Sequence, residues 1–167
     1  LFDHEEVGSE SATGAAGPML ELILKSLVEC RSRVSWVDVV QHALCISADN
    51  AHALHPNYVD RHDPNHAPIV NRGPVLKTNA NQRYATSARG AALVRAAAHD
   101  AGISLQHFVS NNVMPCGSTI GPITATRLGI ETVDIGVPQL SMHSARELCG
   151  TGDPIALRAL LVGLASH

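Results

Sequence analysis

Two adjacent carboxylates near the start of the sequence, Glu5 and Glu6, are the residue types that metal-assisted hydrolysis uses. One carboxylate can bind a metal ion while its neighbour takes a proton from a water that the metal activates. By itself the pair indicates little, because adjacent glutamates usually belong to a solvated surface. The spacing also does not decide which of the two would be the ligand and which the base.

Two later segments add oxygen and nitrogen donors, each after a short apolar run. Asp49 follows the run 45–48, and His143 lies within 141–147. An isolated aspartate after a strand usually forms a turn, and an isolated histidine is usually a polar surface or capping residue. A site for two metal ions roughly 3.5 Å apart, however, needs such carboxylate and imidazole ligands together. The three segments in combination therefore favour a dinuclear metal site.

Five segments together resemble the aspartyl aminopeptidase family of metallopeptidases, and they occur in that family's order and at its spacing. They are 2–8, 47–58 (SADNAHALHPNY), 73–86 (GPVLKTNANQRYAT), 115–122 (PCGSTIGP) and 141–147. The resemblance implies an α/β layered fold of the zinc aminopeptidase and phosphorylase type. It also implies that residues 1–167 are the C-terminal portion of a catalytic domain. The preceding part would hold another histidine ligand, a bridging aspartate and an inserted β-rich oligomerisation domain.

The resemblance also assigns roles to the donors. It implies that Glu6, Asp49 and His143 are metal ligands and that Glu5 is the general base. It implies two Zn²⁺ ions per site, and Mn²⁺ or Co²⁺ could replace them in such a ligand set. The implied reaction is removal of one N-terminal acidic residue, Asp or Glu, from a peptide by metal-activated water. The implied assembly is a homo-oligomer resembling a shell of twelve subunits.

The start of the sequence favours an N-terminal truncation. The chain opens on Leu1 without a methionine or a helix cap and reaches the carboxylate pair at once. A domain seldom begins inside its own active site. We therefore expect the isolated chain to be inactive, because part of the coordination shell would be missing.

An acidic first residue requires a cation in the substrate pocket. Lys77 is the candidate, because it lies in a strand-like stretch that has no other charge and matches the family's motif. The alternative is an ordinary lysine on an edge strand. His52, His55 and Tyr58 lie in the loop after Asp49, where they could bind substrate or orient the ligands.

Other polar groups receive structural interpretations. The cluster of His62, Asp63 and His66 is predicted to belong to a solvated loop and not to a third metal site. Cys116 has no partner that would make it a nucleophile. If Lys77 is not the specificity cation, Arg83 or the missing N-terminal part is the alternative source.

The composition excludes several classes of protein. The sequence has 167 residues, 45% of them hydrophobic and 16% charged, with a net charge of −3. Without a basic stripe or stacking aromatics, a nucleic-acid partner is not expected. The apolar stretches are too short to span a bilayer, which requires about 20 residues. The four cysteines contain no CxxC pair and fit reduced thiols in a cytoplasmic protein.

Hydrophobic periodicity predicts an α/β fold with a mixed β-sheet flanked by helices. The predicted helices are one after Gly17-Pro18, one capped by Ser35 that runs to residue 44, and others at 86–101, 122–128 and 153–165, the last capped by Asp153-Pro154. The predicted strands are 45–48, 75–78, 105–110 and 131–137, with a further extended piece at 68–72 and a long loop at 50–68. The first strand would deliver Asp49 at its C-terminal end, where α/β sheets place ligands.

Two alternative functions stay open at this level. One is a related dinuclear-metal aminopeptidase or deacylase with another side-chain preference, against which Lys77 and the run NANQRYAT argue. The other is a catalytically dead fragment that retains only the fold or an assembly surface.

Overall fold

The computed structural model describes residues 2–5, 7–117 and 120–166. The helices are α1 (Met19–Glu29), α2 (Trp36–His42), α3 (Ala88–Asp100), α4 (Ile120–Leu128) and α5 (Asp153–Ala165). The strands are β1 (Leu44–Ala48), β2 (Ala51–His52), β3 (Val75–Thr78), β4 (Gln106–Val109), β5 (Glu131–Gly136), β6 (Pro138–Leu140) and β7 (Leu148–Cys149). A short 3₁₀ turn spans Val59–Arg61.

The main sheet has four strands in the order β1-β5-β3-β4. β1 is parallel to β5 and β3 is parallel to β4, whereas β3 and β5 are antiparallel. A smaller sheet has the order β2-β6-β7. The predicted α/β fold with a mixed sheet flanked by helices is confirmed. β3 is an interior strand, whose backbone pairs with β4 along its whole length and with β5 at Val75 and Leu76.

The hydrophobic core lies between the main sheet and the helices α3 and α5. Leu76, Val133 and Ile135 of the strands and Val94 and Leu160 of the helices are all 0% exposed. Each such side chain stabilises the fold by about 1.5–3 kcal/mol relative to its exposed state. Small alanines on α3 complete this contact, so the helix backbone lies close to the sheet.

The second helix begins and ends for local chemical reasons. The Ser35 hydroxyl accepts a hydrogen bond from the Asp38 N–H at 3.2 Å, and the Asp38 carboxylate accepts one from the Ser35 N–H at 2.9 Å. This reciprocal capping box satisfies two otherwise unpaired donors. The predicted cap at Ser35 is confirmed. The helix ends at His42, earlier than predicted, because Leu44 is already the first residue of β1.

The predicted cap at Asp153 is wrong. Gly152 is the N-cap of α5. The Asp153 carboxylate, 1% exposed, instead accepts hydrogen bonds from the Asn71 N–H at 2.7 Å and the Gly73 N–H at 2.8 Å. These bonds fix a turn in which Asn71 has a φ of 61°. The extended piece predicted at 68–72 is therefore also wrong in its last residues, because a carboxylate from another element satisfies this backbone.

The long loop predicted at 50–68 contains β2 and the 3₁₀ turn. Helix α4 starts at Ile120, two residues before the predicted start, so Pro122 lies in its first turn, where a missing N–H costs nothing. In the described part of the chain, no helix is both long enough and apolar enough to cross a membrane.

Candidate active site

Asp49 lies directly after β1, at the edge of the sheet where the sequence places it. Its N–H donates to the Ile135 carbonyl at 3.0 Å, which continues the pairing of β1 with β5. A Cβ atom on Gly136 would lie 1.7 Å from the Asp49 carbonyl oxygen. Only glycine at position 136 therefore allows the Asp49 backbone to lie this close to β5.

Lys77 contacts Asp49 from inside the sheet. Its Nζ donates to the Asp49 carboxylate and to the Asp49 carbonyl oxygen, both at 3.2 Å, and to the Asn50 carbonyl oxygen at 3.3 Å. The side chain is 0% exposed, and its Nζ lies 4.9 Å from the centre of the Tyr84 ring. The three acceptors match the three hydrogens of the ammonium group.

This environment differs from both interpretations of the sequence at Lys77. The residue is not an edge-strand lysine, because β3 lies between β5 and β4. In this structure it holds Asp49 and does not face open solvent. Its binding to a substrate carboxylate stays a prediction, and that role would require it to give up at least one of its contacts with the 49–50 backbone or carboxylate.

His143 lies in a turn of unusual backbone geometry. Ser141 has a φ of 57° and His143 a φ of 66°, a region that costs a non-glycine residue about 1–3 kcal/mol. The Ser144 N–H donates to the Ser141 carbonyl at 3.0 Å, and the His143 N–H donates to the Glu147 carboxylate at 2.6 Å. Such strain persists only where surrounding contacts maintain it, and it is frequent at functional sites.

The pKa of His52 depends on charged groups from several segments of the candidate site. Burial is the main cause of the lowered pKa of His52. His62, His143 and Lys77 lower that pKa further, in this order. The Asp49 carboxylate acts in the opposite direction. Asp49 and His143 therefore each lie within electrostatic range of His52.

The carboxylate pair is described only in part. Glu5 is half-buried and lies in a turn, which the Gly8 N–H closes by donating to the His4 carbonyl at 2.8 Å. Glu6 lies outside the described residues. The general-base role of Glu5 and the ligand role of Glu6 stay predictions.

The residue types at the sheet edge fit part of a zinc site. Asp49 supplies a carboxylate and His143 an imidazole, two of the groups that Zn²⁺ binds in proteins. Among the residues described, no group of three or more His, Cys, Asp or Glu side chains is placed to hold a metal ion. The ligand functions of Asp49 and His143 therefore stay predictions, and further donors are needed to complete a site.

A cavity of about 390 Å³ opens beside His52. This volume suits a side chain or a small ligand. The predicted substrate-binding residues His52 and Tyr58 both line the cavity, and so does His55. Tyr84 and Phe108 provide aromatic surface, with their rings 6.0 Å apart in an edge-to-face arrangement.

The described residues of the cavity wall include basic side chains but no acidic ones. The basic ones are Arg61 and the histidines His52, His55 and His62. Because guanidinium stays protonated at neutral pH, the wall carries permanent positive charge. A cavity of this kind favours an anionic group over a neutral one of the same shape.

The sequence interpretation missed Arg61 and His62. The His62 ring lies edge-to-face 6.4 Å from Phe108, and both of its ring nitrogens are buried without a hydrogen-bond partner among the described residues. The prediction that His62 belongs to a solvated loop is wrong. Asp63 and His66 do form a local pair, with His66 Nδ1 2.7 Å from Asp63 Oδ1. Because the loop is rich in polar residues, its sequence does not show that the His62 ring points inward.

The chain is similar to known proteins of one metallopeptidase family. Residues 1–163 match the family described as aminopeptidase I zinc metalloprotease (M18). A probable M18 family aminopeptidase 2 of Streptomyces coelicolor is 57% identical over 164 residues, which cover 96% of this chain and 38% of that protein. The chain thus spans well under half of the length of this relative.

Solved structures show the same relationship. A chain in the cryo-EM structure of the complex of Ape4 and Nbr1 is 44% identical with a TM-score of 0.92, over 97% of this chain and 31% of that one. The mApe1 dodecamer of S. cerevisiae is 33% identical with a TM-score of 0.89, over 100% of this chain and 37% of that one. The metallopeptidase family that the sequence motifs predict is confirmed: this chain belongs to the M18 family of aminopeptidase I zinc metalloproteases.

Proposed function

We propose that the full-length protein is an aminopeptidase that removes an acidic N-terminal residue, Asp or Glu, from peptides. The observation that supports this specificity is the cavity beside His52, whose described wall holds Arg61 and three histidines but no carboxylate. Family membership supports the aminopeptidase activity. The charge of the wall supports the preference for an acidic side chain.

The buried Lys77 adds to this preference from behind the wall. Its ammonium group lies 4.9 Å from the centre of the Tyr84 ring, and Tyr84 lines the cavity. Charges interact more strongly where protein displaces water, because the effective dielectric constant is lower there. Lys77 would thereby favour a substrate carboxylate, although part of its charge is offset by Asp49.

The site residues would divide the work of hydrolysis. Asp49, His143 and Glu6 would hold the metal, and Lys77 would fix the orientation of the Asp49 carboxylate. Zinc, when bound, supplies Lewis-acid polarisation of the peptide carbonyl and lowers the pKa of a coordinated water. Glu5 would accept a proton from the attacking water and deliver it to the departing amine.

Several further properties belong to this proposal. Two zinc ions per site, with Mn²⁺ or Co²⁺ as possible replacements, follow from the family resemblance. A dodecamer-like homo-oligomer is supported by the assembly of the S. cerevisiae neighbour. A cytoplasmic location agrees with the free cysteines of the described chain. We expect the 167-residue chain alone to be inactive, because it corresponds to only 38% of the Streptomyces coelicolor relative.

The test is a substrate panel with the full-length, zinc-loaded protein. Values of kcat/KM are measured for matched substrates whose first residue is Asp, Glu, Asn or Leu. We expect Asp and Glu to exceed Asn and Leu by at least roughly tenfold, which corresponds to about 1.4 kcal/mol of transition-state binding. Equal rates would indicate an aminopeptidase of other specificity. Absence of all cleavage by zinc-loaded protein would favour the catalytically dead alternative.

A further inference from the structure

We propose that Asp134 is a positioning residue, whose buried carboxylate fixes two segments of the cavity wall without touching the substrate. One segment carries Tyr84, and the other carries Cys116 and Gly117. This inference rests on the proposed aminopeptidase activity but not on its acidic specificity. It extends the site to a residue of β5 that is not among the described residues of the cavity wall.

Asp134 faces away from the main hydrophobic core. Its neighbours in β5, Val133 and Ile135, pack into the core between the sheet and the helices. Because side chains alternate along a strand, Asp134 lies on the opposite face of the sheet, where it is 0% exposed. A carboxylate buried to this extent is stable only where hydrogen-bond donors replace the lost water. Its contacts therefore identify the segments that it holds.

The first of these segments is the turn after Tyr84. The Ala85 N–H donates to the Asp134 carboxylate at 2.6 Å, and the Asp134 N–H donates to the Thr86 hydroxyl oxygen at 2.9 Å. A hydrogen bond to a charged acceptor is about twice as strong as one between neutral groups. The Ala85 N–H belongs to the peptide group that joins Ala85 to Tyr84. The carboxylate therefore fixes the backbone directly beside an aromatic ring of the cavity wall.

The second segment leads into the start of α4. A Cβ atom added to Gly121 would lie 2.2 Å and 2.5 Å from the two carboxylate oxygens of Asp134, so the first turn of the helix lies directly against the carboxylate. Negative charge is favourable there, because the first turn of a helix has N–H groups without partners inside the helix. Cys116 and Gly117 precede this helix by a few residues and line the cavity. The position of the helix thus limits where this part of the wall can lie.

The two segments meet at the cavity. Cys116 packs against the small hydrophobic cluster that contains Tyr84 and Phe108. Burial is the main cause of the raised pKa of Tyr84, and the Asp134 carboxylate also contributes to it, so the charge acts on this ring. A displacement of either segment would change the shape of the wall that the substrate contacts. Displacements of about 1 Å can reduce catalytic efficiency by roughly 10²-fold.

The experiment compares Asp134→Asn with Asp153→Asn in the full-length, zinc-loaded enzyme, using the substrate that the wild type cleaves best. Asp153 is the matched control, because its carboxylate is also buried and also accepts hydrogen bonds from backbone N–H groups, those of Asn71 and Gly73. Neither Asn71 nor Gly73 is among the described residues of the cavity wall. In both variants an NH₂ group replaces an acceptor beside backbone donors, so we expect both to unfold at a lower temperature than the wild type.

Only Asp134→Asn should change substrate binding. We expect its KM to rise at least roughly tenfold while kcat falls less than about threefold, because the wall moves and the metal site does not. Its zinc content should equal that of the wild type, and Asp153→Asn should keep the wild-type KM and kcat. Folded Asp134→Asn with a wild-type KM overturns the inference. Loss of zinc from Asp134→Asn, or an equal rise of KM in Asp153→Asn, also overturns it.

Two variants of Thr86 keep the test decisive if Asp134→Asn does not fold. Valine has the shape of threonine but lacks the oxygen that accepts the Asp134 N–H, whereas serine retains a hydroxyl. We expect Thr86→Val to raise KM at least roughly threefold, as for the loss of one hydrogen bond, and Thr86→Ser to stay near the wild-type value. Equal KM values for the two variants would overturn the inference.

The same measurements distinguish failure of this inference from failure of the proposed function. A wild type that cleaves no substrate of the panel overturns the aminopeptidase activity and the role of Asp134 together. A wild type that cleaves neutral and acidic first residues equally overturns only the specificity, since any cleaved substrate gives a KM. An active wild type beside Asp134→Asn of unchanged KM overturns only the role of Asp134.

Discussion

Lys77 Nζ lies 3.2 Å from both the carboxylate and the main-chain oxygen of Asp49, so one buried ammonium group fixes the side chain and the backbone of a predicted zinc ligand. Lys77 is 0% exposed, whereas the Asp49 side chain is 25% exposed at the edge of the sheet. The carboxylate can therefore face a metal on one side while a cation holds it on the other. A buried charge of this kind is costly when its partner is removed.

Lys77→Met should impair the metal site and lower the preference for an acidic first residue. The variant keeps the approximate length of the side chain but removes the charge that orients Asp49. We expect zinc affinity to fall by about 10–100-fold, as for other residues that orient metal ligands, and the Asp-to-Asn ratio of kcat/KM to fall as well, because a positive charge near the cavity is lost. Zinc titration and kcat/KM values measure this. Wild-type zinc affinity would contradict the orienting role of Lys77, and a wild-type Asp-to-Asn ratio would contradict its contribution to specificity.

Separate substitution of the two adjacent glutamates should show which one is the general base and which one is the metal ligand. Glu5→Gln in the full-length enzyme should keep zinc and fold but lower kcat by about 10²- to 10⁴-fold, because general-base catalysis contributes about that much. Glu6→Gln should lose zinc. Metal analysis and turnover of both variants check the assignment, and zinc loss confined to the Glu5 variant would reverse it.

Gly136→Ala should disturb Asp49 through the backbone. The added Cβ would lie 1.7 Å from the Asp49 carbonyl oxygen, so one of the two chain segments must move. We expect a loss of stability of about 1–3 kcal/mol, typical of overpacking, together with reduced zinc content. Gly163→Ala in α5 is the control, because its nearest non-local atom would be 4.0 Å away. Equal stability of the two variants would contradict the close approach at Gly136.

Protonation of His107 should destabilise the protein as the pH falls. Burial lowers the pKa of His107 below its usual value of 6.5, with smaller effects from His66 and Arg95. The unfolded chain then binds this proton more readily than the folded chain. The contribution of His107 to stability is therefore full above about pH 6.5 and declines as the pH falls towards the lower folded-state pKa.

The variant His107→Gln tests this dependence. Thermal unfolding of the full-length protein between about pH 7.5 and 5.5 should show a smaller decline in stability for the variant than for the wild type, because glutamine does not titrate in this range. Identical pH slopes would show that His107 does not contribute.

The sequence predicted most of the elements and the position of Asp49, because local signals determine them. Ser35 has the chemistry of a helix cap and forms one, and the apolar run before Asp49 is a strand. Contacts between distant segments were less predictable. The Asp153 carboxylate binds the 71–73 backbone instead of capping its own helix, and no local pattern encodes that choice.

In the candidate site, too, features set by local sequence were predictable, whereas contacts between distant segments were not. His52 and Tyr58 were predicted to lie near substrate, and both line the cavity. The sequence predicts that Lys77 either binds the substrate carboxylate or is an ordinary edge-strand lysine, since a four-residue strand does not reveal whether it is central in the sheet. The inward direction of His62 depends on its packing against Phe108, 46 positions further along the chain in the printed sequence.

The most direct test of the site is the zinc content of the full-length protein with Asp49→Ala and with His143→Ala, measured beside wild type and beside Asp63→Ala. Asp63 is the matched control, because its carboxylate pairs with His66 in the neighbouring loop. We predict reduced zinc per subunit in both site variants and wild-type zinc in the control, because each site variant lacks one donor. Wild-type zinc in both the Asp49 and the His143 variants would contradict a metal site at this edge of the sheet.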